Sequence, residues 1–183
     1  MGPTWIVDPI DGTNNFVHGL PMFCVSIGIC VERCPVVGVV YNPITEELFH
    51  AVKGEGAYLN GQPIKVNPSV TSLEKCLLAT EYTTAQATPT SNSDNLRLMQ
   101  HVRGLRMFGS AALNMCYMAC ARVDGFLGRG LKCWDVAGAA VIVKEAGGFV
   151  TDYCASEEYD LCSGQVVAAT CPLVAQQIAK VLK

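Results

Sequence analysis

Two aspartates near the N-terminus form the first cluster of residues that could do chemistry. Asp8 and Asp11 are three residues apart in the segment WIVDPIDGTNNF, residues 5–16, and Pro9 stiffens the backbone between them. Two carboxylates in one short loop repel each other unless a cation lies between them. Hard oxygen ligands without nearby His or Cys suit Mg²⁺ better than zinc, and the carbonyl oxygen of Ile10 is a third candidate ligand. The alternative interpretation is a pair of ordinary Asp-Pro and Asp-Gly turns.

Gly12 and Thr13 follow directly and provide a way to bind an anion. Glycine leaves the backbone free for close approach, and backbone N–H groups bind phosphate well where a helix begins. If a helix starts here, a metal ion and a phosphate group can share one site.

A third aspartate, Asp135, lies in a second motif, CWDVAGAAVIVKEAGG, residues 133–148. The pattern predicts a helix over 135–146 that ends at Gly147–Gly148, because glycine is favoured just after a helix C-terminus. The positive N-terminal end of a helix favours an ionised carboxylate. Taken alone, Asp135 is typical of a helix N-cap.

Hydrophobic periodicity predicts a layered α/β domain over residues 1–183 that positions these motifs. Residues 1–82 are mainly sheet and residues 94–183 are mixed α/β, with the polar loop 83–93 as the internal boundary. The predicted strands are 5–8, 22–31, 36–42, 47–53, 57–59, 63–66, 76–80, 149–152 and 165–170. The predicted helices are 94–102, 110–122, 135–146 and 173–182.

The composition excludes several classes of protein. The chain has 183 residues, 50% of them hydrophobic, and a net charge of −3 without any basic stripe, so it is not expected to bind nucleic acid. No apolar run reaches the length of about 20 residues that spans a membrane, and no export signal is recognisable. The ten cysteines include no CxxC pair, which favours a reducing cytoplasm over a disulfide scaffold.

The two motifs together resemble the signature blocks of the inositol monophosphatase family of magnesium-dependent, lithium-sensitive phosphatases. The matching segments are WIVDPIDGTNNFVHGLP and WDVAGAAVIVKEAGG. VSIGICVE, GVVYNPITEELFHAVKGEGAYLNGQPIKV and FGSAALNMC are also similar to that family, in the same order, so the resemblance covers essentially the whole chain. It implies an α/β (α+β) fold, a layered αβαβα sandwich.

The resemblance also implies roles for individual residues. The implied Mg²⁺ ligands are Asp8, the Ile10 carbonyl, Asp11 and Asp135, with Asp8 as a bridge between two metal ions. The implied catalytic residues are Asp8, Asp11 and Thr13. The implied substrate-binding residues are Gly12 and Thr13 at the phosphate, and Gly109, Ser110 and Ala111 beside Asp135 in the inositol pocket.

The implied reaction is hydrolysis of a phosphomonoester by metal-activated water that attacks phosphorus in line. The expected substrate is myo-inositol 1-phosphate, and the expected assembly is a cytoplasmic homodimer without nucleic-acid or membrane partners. One alternative is a related phosphatase acting on histidinol phosphate, a sugar phosphate or a nucleotide. The other is a catalytically impaired form that acts only in binding or dimerisation.

The sequence departs from the family's pattern in two places. The family's upstream segment, whose Gly-Glu-Glu motif supplies a metal-binding glutamate, has no counterpart, because only four residues precede Trp5. We therefore expect an N-terminally truncated sandwich with exposed apolar surface. Gly128 is the second departure, because many family members carry there an acidic or amide side chain that touches an inositol hydroxyl.

Several other residues are given ordinary structural roles. Four glutamates are candidates to replace the missing one, but isolated acids are usually solvated: Glu32, Glu46, Glu47 and Glu55. The three histidines lack metal-ligand spacing, and Ser110 lacks the Gly-x-Ser-x-Gly context of a nucleophile, so we predict that it caps a helix.

Overall fold

The computed structural model describes residues 2–81, 89–156 and 158–182. The strands are β1 (Thr4–Asp11), β2 (Cys24–Val31), β3 (Cys34–Asn42), β4 (Glu47–Val52), β5 (Ala57–Leu59), β6 (Gln62–Ile64), β7 (Leu77–Thr80), β8 (Gly104–Arg106), β9 (Gly125–Arg129), β10 (Phe149–Thr151) and β11 (Gln165–Ala169). The helices are α1 (Thr13–Val17), α2 (Pro89–Met99), α3 (Ala111–Ala119), α4 (Cys133–Glu145) and α5 (Pro172–Leu182). Within the described part of the chain, none of these helices has the length and apolar character needed to cross a bilayer.

The first sheet is antiparallel and contains β1 to β6 in chain order. Its inner face is buried against helices α4 and α3. Its outer face is apolar, because Val7, Ile27 and Val39 are register partners in adjacent strands. Trp5 on this face is 65% exposed. The predicted exposed apolar surface is thus confirmed.

The second sheet is mixed and has the order β10-β11-β9-β7-β8. β7 is parallel to both β8 and β9, whereas β11 is antiparallel to its two neighbours. Helices α3 and α4 lie between the two sheets, and α5 and α2 pack together on the far face around Leu98 and Ile178. The described layers therefore alternate β, α, β, α, and no described helix forms a fifth layer on the outer face of the first sheet.

Glycines let helix α4 lie unusually close to the first sheet. A Cβ built on Gly38 of β3 would lie 2.0 Å from the carbonyl oxygen of Gly138 in α4. A Cβ on Gly28 of β2 would lie 2.8 Å from Cβ of Ala137, and one on Gly138 would lie 2.6 Å from the oxygen of Ile27. Real Cβ atoms essentially never approach so closely, so this packing requires glycine at these positions. It sets the distance between the sheet and the start of α4.

The predicted elements were mostly correct, but three were missed. Helix α1 has only five residues and none of them is buried. Strands β8 and β9 are short and rich in glycine and arginine, so local propensity did not reveal them. The parallel pairing with β7 makes β8 and β9 strands.

Helix α2 was predicted over 94–102 but runs from Pro89 to Met99. Proline is favoured at the first helical position, so the Pro- and Ser-containing stretch begins the helix instead of extending the loop. Residues 83–88 of the predicted boundary loop lie outside the described residues. Helix α3 ends at Ala119, shortly before Ala121 adopts a positive φ of 62°, and not at 122 as predicted.

Candidate active site

The structure brings the three predicted aspartates together. Asp8, Asp11 and Asp135 each offer an oxygen within 4.8 Å of the others. Asp8 and Asp11 are three residues apart, so in a regular strand their side chains would point to opposite faces. The register places Asp8 opposite Ser26 and Asp11 opposite Cys24, so one extra residue is inserted in β1. This β-bulge turns both carboxylates toward the same cluster.

Asp11 is almost completely buried and firmly held. Its Oδ2 accepts hydrogen bonds from Oγ of Ser110 at 2.5 Å and from the backbone N–H of Ala112 at 2.8 Å. Burial nevertheless raises the pKa of Asp11 from 3.8 to about 6, and the charges of Asp8 and Asp135 add to the rise. The two hydrogen bonds therefore offset only part of the cost of burying the negative charge of Asp11.

Asp135 is the third residue of α4, not its N-cap as predicted. Lys132 is the N-cap, and its backbone N–H donates to Oδ2 of Asp135 at 2.7 Å in a capping box. The helix begins two residues earlier than predicted, because Cys133 and Trp134 already adopt helical backbone. Burial raises the pKa of Asp135, and the neighbouring Asp8 adds to this rise.

Oxygen donors of this kind fit a hard divalent cation. Three carboxylates converge, and two of them have pKa values that are raised by burial and by mutual repulsion. The cluster contains no histidine or cysteine, which are the ligands that zinc prefers. Among the described residues, these three aspartates are the only group of His, Cys, Asp or Glu side chains close enough to share a metal ion.

A small cavity of about 230 Å³ lies against this cluster. The residues that line it come from four separate parts of the chain: Asp11, Gly12, Thr13, Asn14, Glu81, Gly109, Ala111, Leu131 and Asp135. Most of the predicted metal and substrate residues therefore share one cavity. Asp8, Ile10 and Ser110 do not line it but support residues that do.

Gly12 and Thr13 form the turn between β1 and α1. Gly12 has a φ of +87°, and a Cβ there would lie 2.8 Å from the backbone oxygen of Met22, so only glycine fits without strain. Thr13 Oγ1 donates to the carbonyl of Ile10 at 2.9 Å, and the N–H of Ile10 donates to Oδ1 of Asp8 at 3.0 Å. Helix α1 does begin at Thr13, as the anion-binding interpretation requires.

The segment Gly109–Ala111 faces this turn. Ser110 is the N-cap of α3, as predicted, because its Oγ accepts the N–H of Leu113 at 3.2 Å. Asn15 joins the two segments, since its Nδ2 donates to the carbonyl oxygens of Met22 and Phe108, both at 2.7 Å. The loop that carries Gly12 and the start of α3 are thus fixed against each other.

Glu81 is a residue of this cavity that the sequence analysis missed. Its Oε1 accepts the N–H of Gly109 at 3.0 Å and a hydrogen bond from Nδ2 of Asn114. Burial raises the pKa of Glu81 to about 7, and the nearby Asp11 adds to the rise. No motif marked Glu81, because it follows β7 as an isolated acid. A usable signal was its position directly after a buried strand.

The second departure, Gly128, faces an apolar neighbour. A Cβ on Gly128 would lie 2.5 Å from Cδ1 of Leu131, which lines the cavity beside Asp135. The leucine side chain therefore occupies the space beside Gly128.

The four glutamates weighed as replacements do not belong to the described carboxylate cluster. Glu47 instead forms an ion pair with Arg122, and Glu46 lies in a turn with a φ of +54°. Glu32 lines a separate cavity together with Cys30 and Cys133.

Both the sequence and the structure of the chain are similar to those of known proteins. The family model described as "Inositol monophosphatase family" matches residues 1–183. The chain is 54% identical over 175 residues to "Inositol monophosphatase 3" of Solanum lycopersicum. The aligned region covers 93% of this chain and 65% of that protein. It is 52% identical over 186 residues to "Inositol monophosphatase 1" of the same organism, covering 99% and 67%. The chain thus spans about two thirds of the length of these relatives.

A solved inositol monophosphatase from Anabaena (Nostoc) sp. PCC 7120 superposes with a TM-score of 0.92 at 38% identity. The match covers 98% of this chain and 74% of that one. This likeness confirms the predicted layered α/β sandwich.

Proposed function

Because the chain belongs to the inositol monophosphatase family, we propose that it hydrolyses a small phosphomonoester with Mg²⁺ as cofactor. The observation that carries the proposal is the convergence of Asp8, Asp11 and Asp135 beside a cavity lined by Gly12 and Thr13. The carboxylates offer a place for a cation and the glycine turn offers a place for the phosphate. These are the two requirements of metal-assisted phosphate ester hydrolysis.

The residues that hold Mg²⁺ are Asp8, Asp11, Asp135 and the carbonyl of Ile10. The three converging carboxylates support magnesium over softer metals. When bound, the cation lowers the pKa of water and offsets negative charge on the phosphate.

The protein's own groups orient the reactants. The backbone of Gly12 and Thr13 binds the phosphate, and Gly12 permits close approach because it has no side chain. Thr13 Oγ1, held by the carbonyl of Ile10, orients the attacking water. The segment Gly109–Ala111 forms the wall next to the alcohol part of the substrate.

The substrate that this site supports best is myo-inositol 1-phosphate. The support is the whole-chain match to the family and the names of the relatives. The apolar contact of Leu131 beside Gly128 offers no hydrogen bond to a substrate hydroxyl, so we expect weaker selectivity between inositol and other alcohols.

Further properties belong to the same proposal. We infer a single catalytic domain, a homodimer, inhibition by lithium and a cytoplasmic location. The ten free thiols fit a reducing compartment. The apolar outer face of the first sheet is compatible with self-association.

The test is phosphate release from myo-inositol 1-phosphate with and without Mg²⁺ and lithium. We expect magnesium-dependent turnover that falls at least 100-fold in Asp135→Asn and is unchanged in the control Glu74→Gln, which removes an exposed carboxylate outside the cluster. A folded chain that releases no phosphate, or an equal loss in both variants, would overturn the proposal.

A further inference from the structure

Three cysteines that the proposed phosphatase chemistry does not use line one cavity. Cys30, Cys133 and Cys162 meet at a cavity of about 630 Å³ between the edge of the first sheet, the start of α4 and the loop before β11. They are far apart in sequence and differ in exposure: Cys30 is buried, Cys133 is partly exposed and Cys162 is exposed. Thiols that share one cavity are able to undergo thiol–disulfide exchange.

A backbone hydrogen bond joins the two segments that carry Cys133 and Cys162. The N–H of Leu131, two residues before Cys133, donates to the carbonyl of Gly164, two residues after Cys162, at 3.1 Å. Cys162 lies in a turn that Asp160 stabilises. Oδ1 of Asp160 accepts the N–H of Cys162 at 2.9 Å, and its carbonyl accepts the N–H of Ser163 at 3.1 Å. Burial raises the pKa of Cys133, and the Cys162 thiol adds to the rise.

We propose that Cys133 and Cys162 are a disulfide-forming pair that reacts with small-molecule disulfides. The exposed Cys162 thiolate attacks the small disulfide RSSR, so a Cys162–S–SR bond forms and RS⁻ leaves. The Cys133 thiolate then attacks the Cys162 sulfur, the protein disulfide forms and a second RS⁻ leaves. The two protons lost by the cysteines are taken up by the two RS⁻ groups, so two cysteine thiols are oxidised while RSSR is reduced to two RSH.

The cavity also gives access to the pair, and Arg33 lines it together with Glu32. The size of the cavity is within the range that admits a small organic molecule. A small disulfide can therefore reach the pair from the solvent side.

The cross-link acts on the candidate metal site because Cys133 is the first residue of α4 and Asp135 is the third. A disulfide holds two sulfurs about 2.05 Å apart, so the bridge ties the first turn of α4 to the 160–164 loop. That turn carries the hydrogen bond from Lys132 to Asp135. We expect oxidation to lower Mg²⁺ affinity about tenfold, the size of effect typical of disturbed support around a metal ligand; this part rests on the proposed function.

The test is equilibration of the full chain in oxidised and reduced glutathione, followed by alkylation, non-reducing digestion and mass spectrometry. A Cys133–Cys162 peptide is expected in the wild type and in the control Cys154→Ser, whose cysteine is exposed and does not line the cavity. It is expected to be absent in Cys162→Ser. The disulfide closes a ring of 30 residues, 133–162. Oxidation should therefore raise the Tm of the wild type and of Cys154→Ser by about 5–10 °C and leave the Tm of Cys162→Ser unchanged.

Other outcomes overturn the proposal. A mixed disulfide of glutathione on Cys162 without the bridge, or a Cys30–Cys133 bridge that persists in Cys162→Ser, contradicts the pairing. Calorimetric titration with Mg²⁺ of the reduced and oxidised chains tests the coupling, and equal affinities contradict it. If the reduced chain binds no Mg²⁺, the metal site of the proposed function fails while the mapped disulfide still stands.

Discussion

Oγ of Ser110 donates a 2.5 Å hydrogen bond to Oδ2 of Asp11, although the two residues are 99 positions apart in the chain. The same hydroxyl accepts the N–H of Leu113 and caps helix α3. One hydroxyl thus joins the end of β1 to the beginning of α3. The orientation of a candidate metal ligand and the stability of a helix therefore depend on the same atom.

Ser110→Ala should weaken both properties. Loss of the cap should cost about 1 kcal/mol of stability, and loss of support for Asp11 should lower Mg²⁺ affinity about tenfold. Urea unfolding and calorimetric titration measure the two effects. Ser110→Thr keeps the hydroxyl and serves as the control. If Ser110→Ala binds Mg²⁺ like the wild type, Asp11 does not need the hydroxyl.

Asp11→Asn should stabilise the metal-free chain at neutral pH. Folding raises the pKa of Asp11 from 3.8 to about 6, so the folded chain binds more protons between these pH values and its stability falls as pH rises through this window. Asparagine carries no charge, so it removes this loss of stability, which is on the order of 1–3 kcal/mol at pH 7.5. It should change the stability little near pH 3.5.

Thermal unfolding of Asp11→Asn at both pH values tests this account, with EDTA present to remove metal. The variant should also lose Mg²⁺ binding. A destabilised variant at pH 7.5 would show that the hydrogen bonds from Ser110 and Ala112 outweigh the burial of the charge.

Glu81 should contribute a second window of pH dependence. Its pKa is raised from 4.5 to about 7, so stability falls as pH rises between these values. Glu81→Gln keeps an acceptor for the N–H of Gly109 and should flatten this part of the stability profile by on the order of 1–3 kcal/mol. Glu81→Ala removes the acceptor and should destabilise the chain at every pH. Denaturant titrations from pH 4.5 to 8 measure both variants.

Gly38→Ala should disrupt the packing of α4 on the first sheet. The new methyl group would lie 2.0 Å from the backbone oxygen of Gly138, so the helix must move away from the sheet, at a cost of about 3 kcal/mol or more. Gly54→Ala has open space around Cβ but a φ of +86°, so it should cost only about 1 kcal/mol.

If Gly38→Ala does not fold, Gly28→Ala provides the milder test, with a contact of 2.8 Å to Ala137. Since α4 carries Asp135, a folded variant should also bind Mg²⁺ more weakly. Stability and Mg²⁺ affinity that both match the wild type would contradict the close-packing argument.

Gly128→Glu should change substrate selectivity. A carboxylate beside the cavity can accept a hydrogen bond from a substrate hydroxyl, which Leu131 cannot do, so kcat/KM should rise about tenfold for myo-inositol 1-phosphate relative to glycerol 2-phosphate. Because the new side chain meets Cδ1 of Leu131, the double variant with Leu131→Ala gives it room. Unchanged selectivity in both variants would exclude position 128 from substrate recognition.

Much of the fold could be predicted from the sequence because its elements have strong local patterns. Strands β2 and β3 are apolar runs, the Asn60–Gly61 pair sets a hairpin turn between β5 and β6, and α4 ends at the glycine pair predicted for it. Strand β9 was missed because GFLGR has weak strand propensity and is stabilised by pairing with β7 and β11. Helix α1 was missed because a segment of five residues is too short to show helical periodicity.

The candidate site was predicted only in part, because only some of its residues belong to strong local patterns. Asp8, Asp11 and Asp135 belong to dense motifs, whereas Glu81 is an isolated acid that becomes a cavity residue only when β7 lies beside α3. The close approach of Gly38 to Gly138 likewise has no local signature, because it depends on the distance between a helix and a sheet.

The sequence by itself determined the family of the chain, its α/β class and which aspartates could bind metal, because residue types and spacing are local properties. Only the tertiary structure decided how those aspartates converge. The bulge between Asp8 and Asp11 puts both on one side, and glycine packing brings Asp135 to them. It also decided which cysteines share a cavity, since Cys133 and Cys162 come together only when the start of α4 lies beside the loop before β11. Contacts between distant segments arise from packing geometry, which local sequence patterns do not contain.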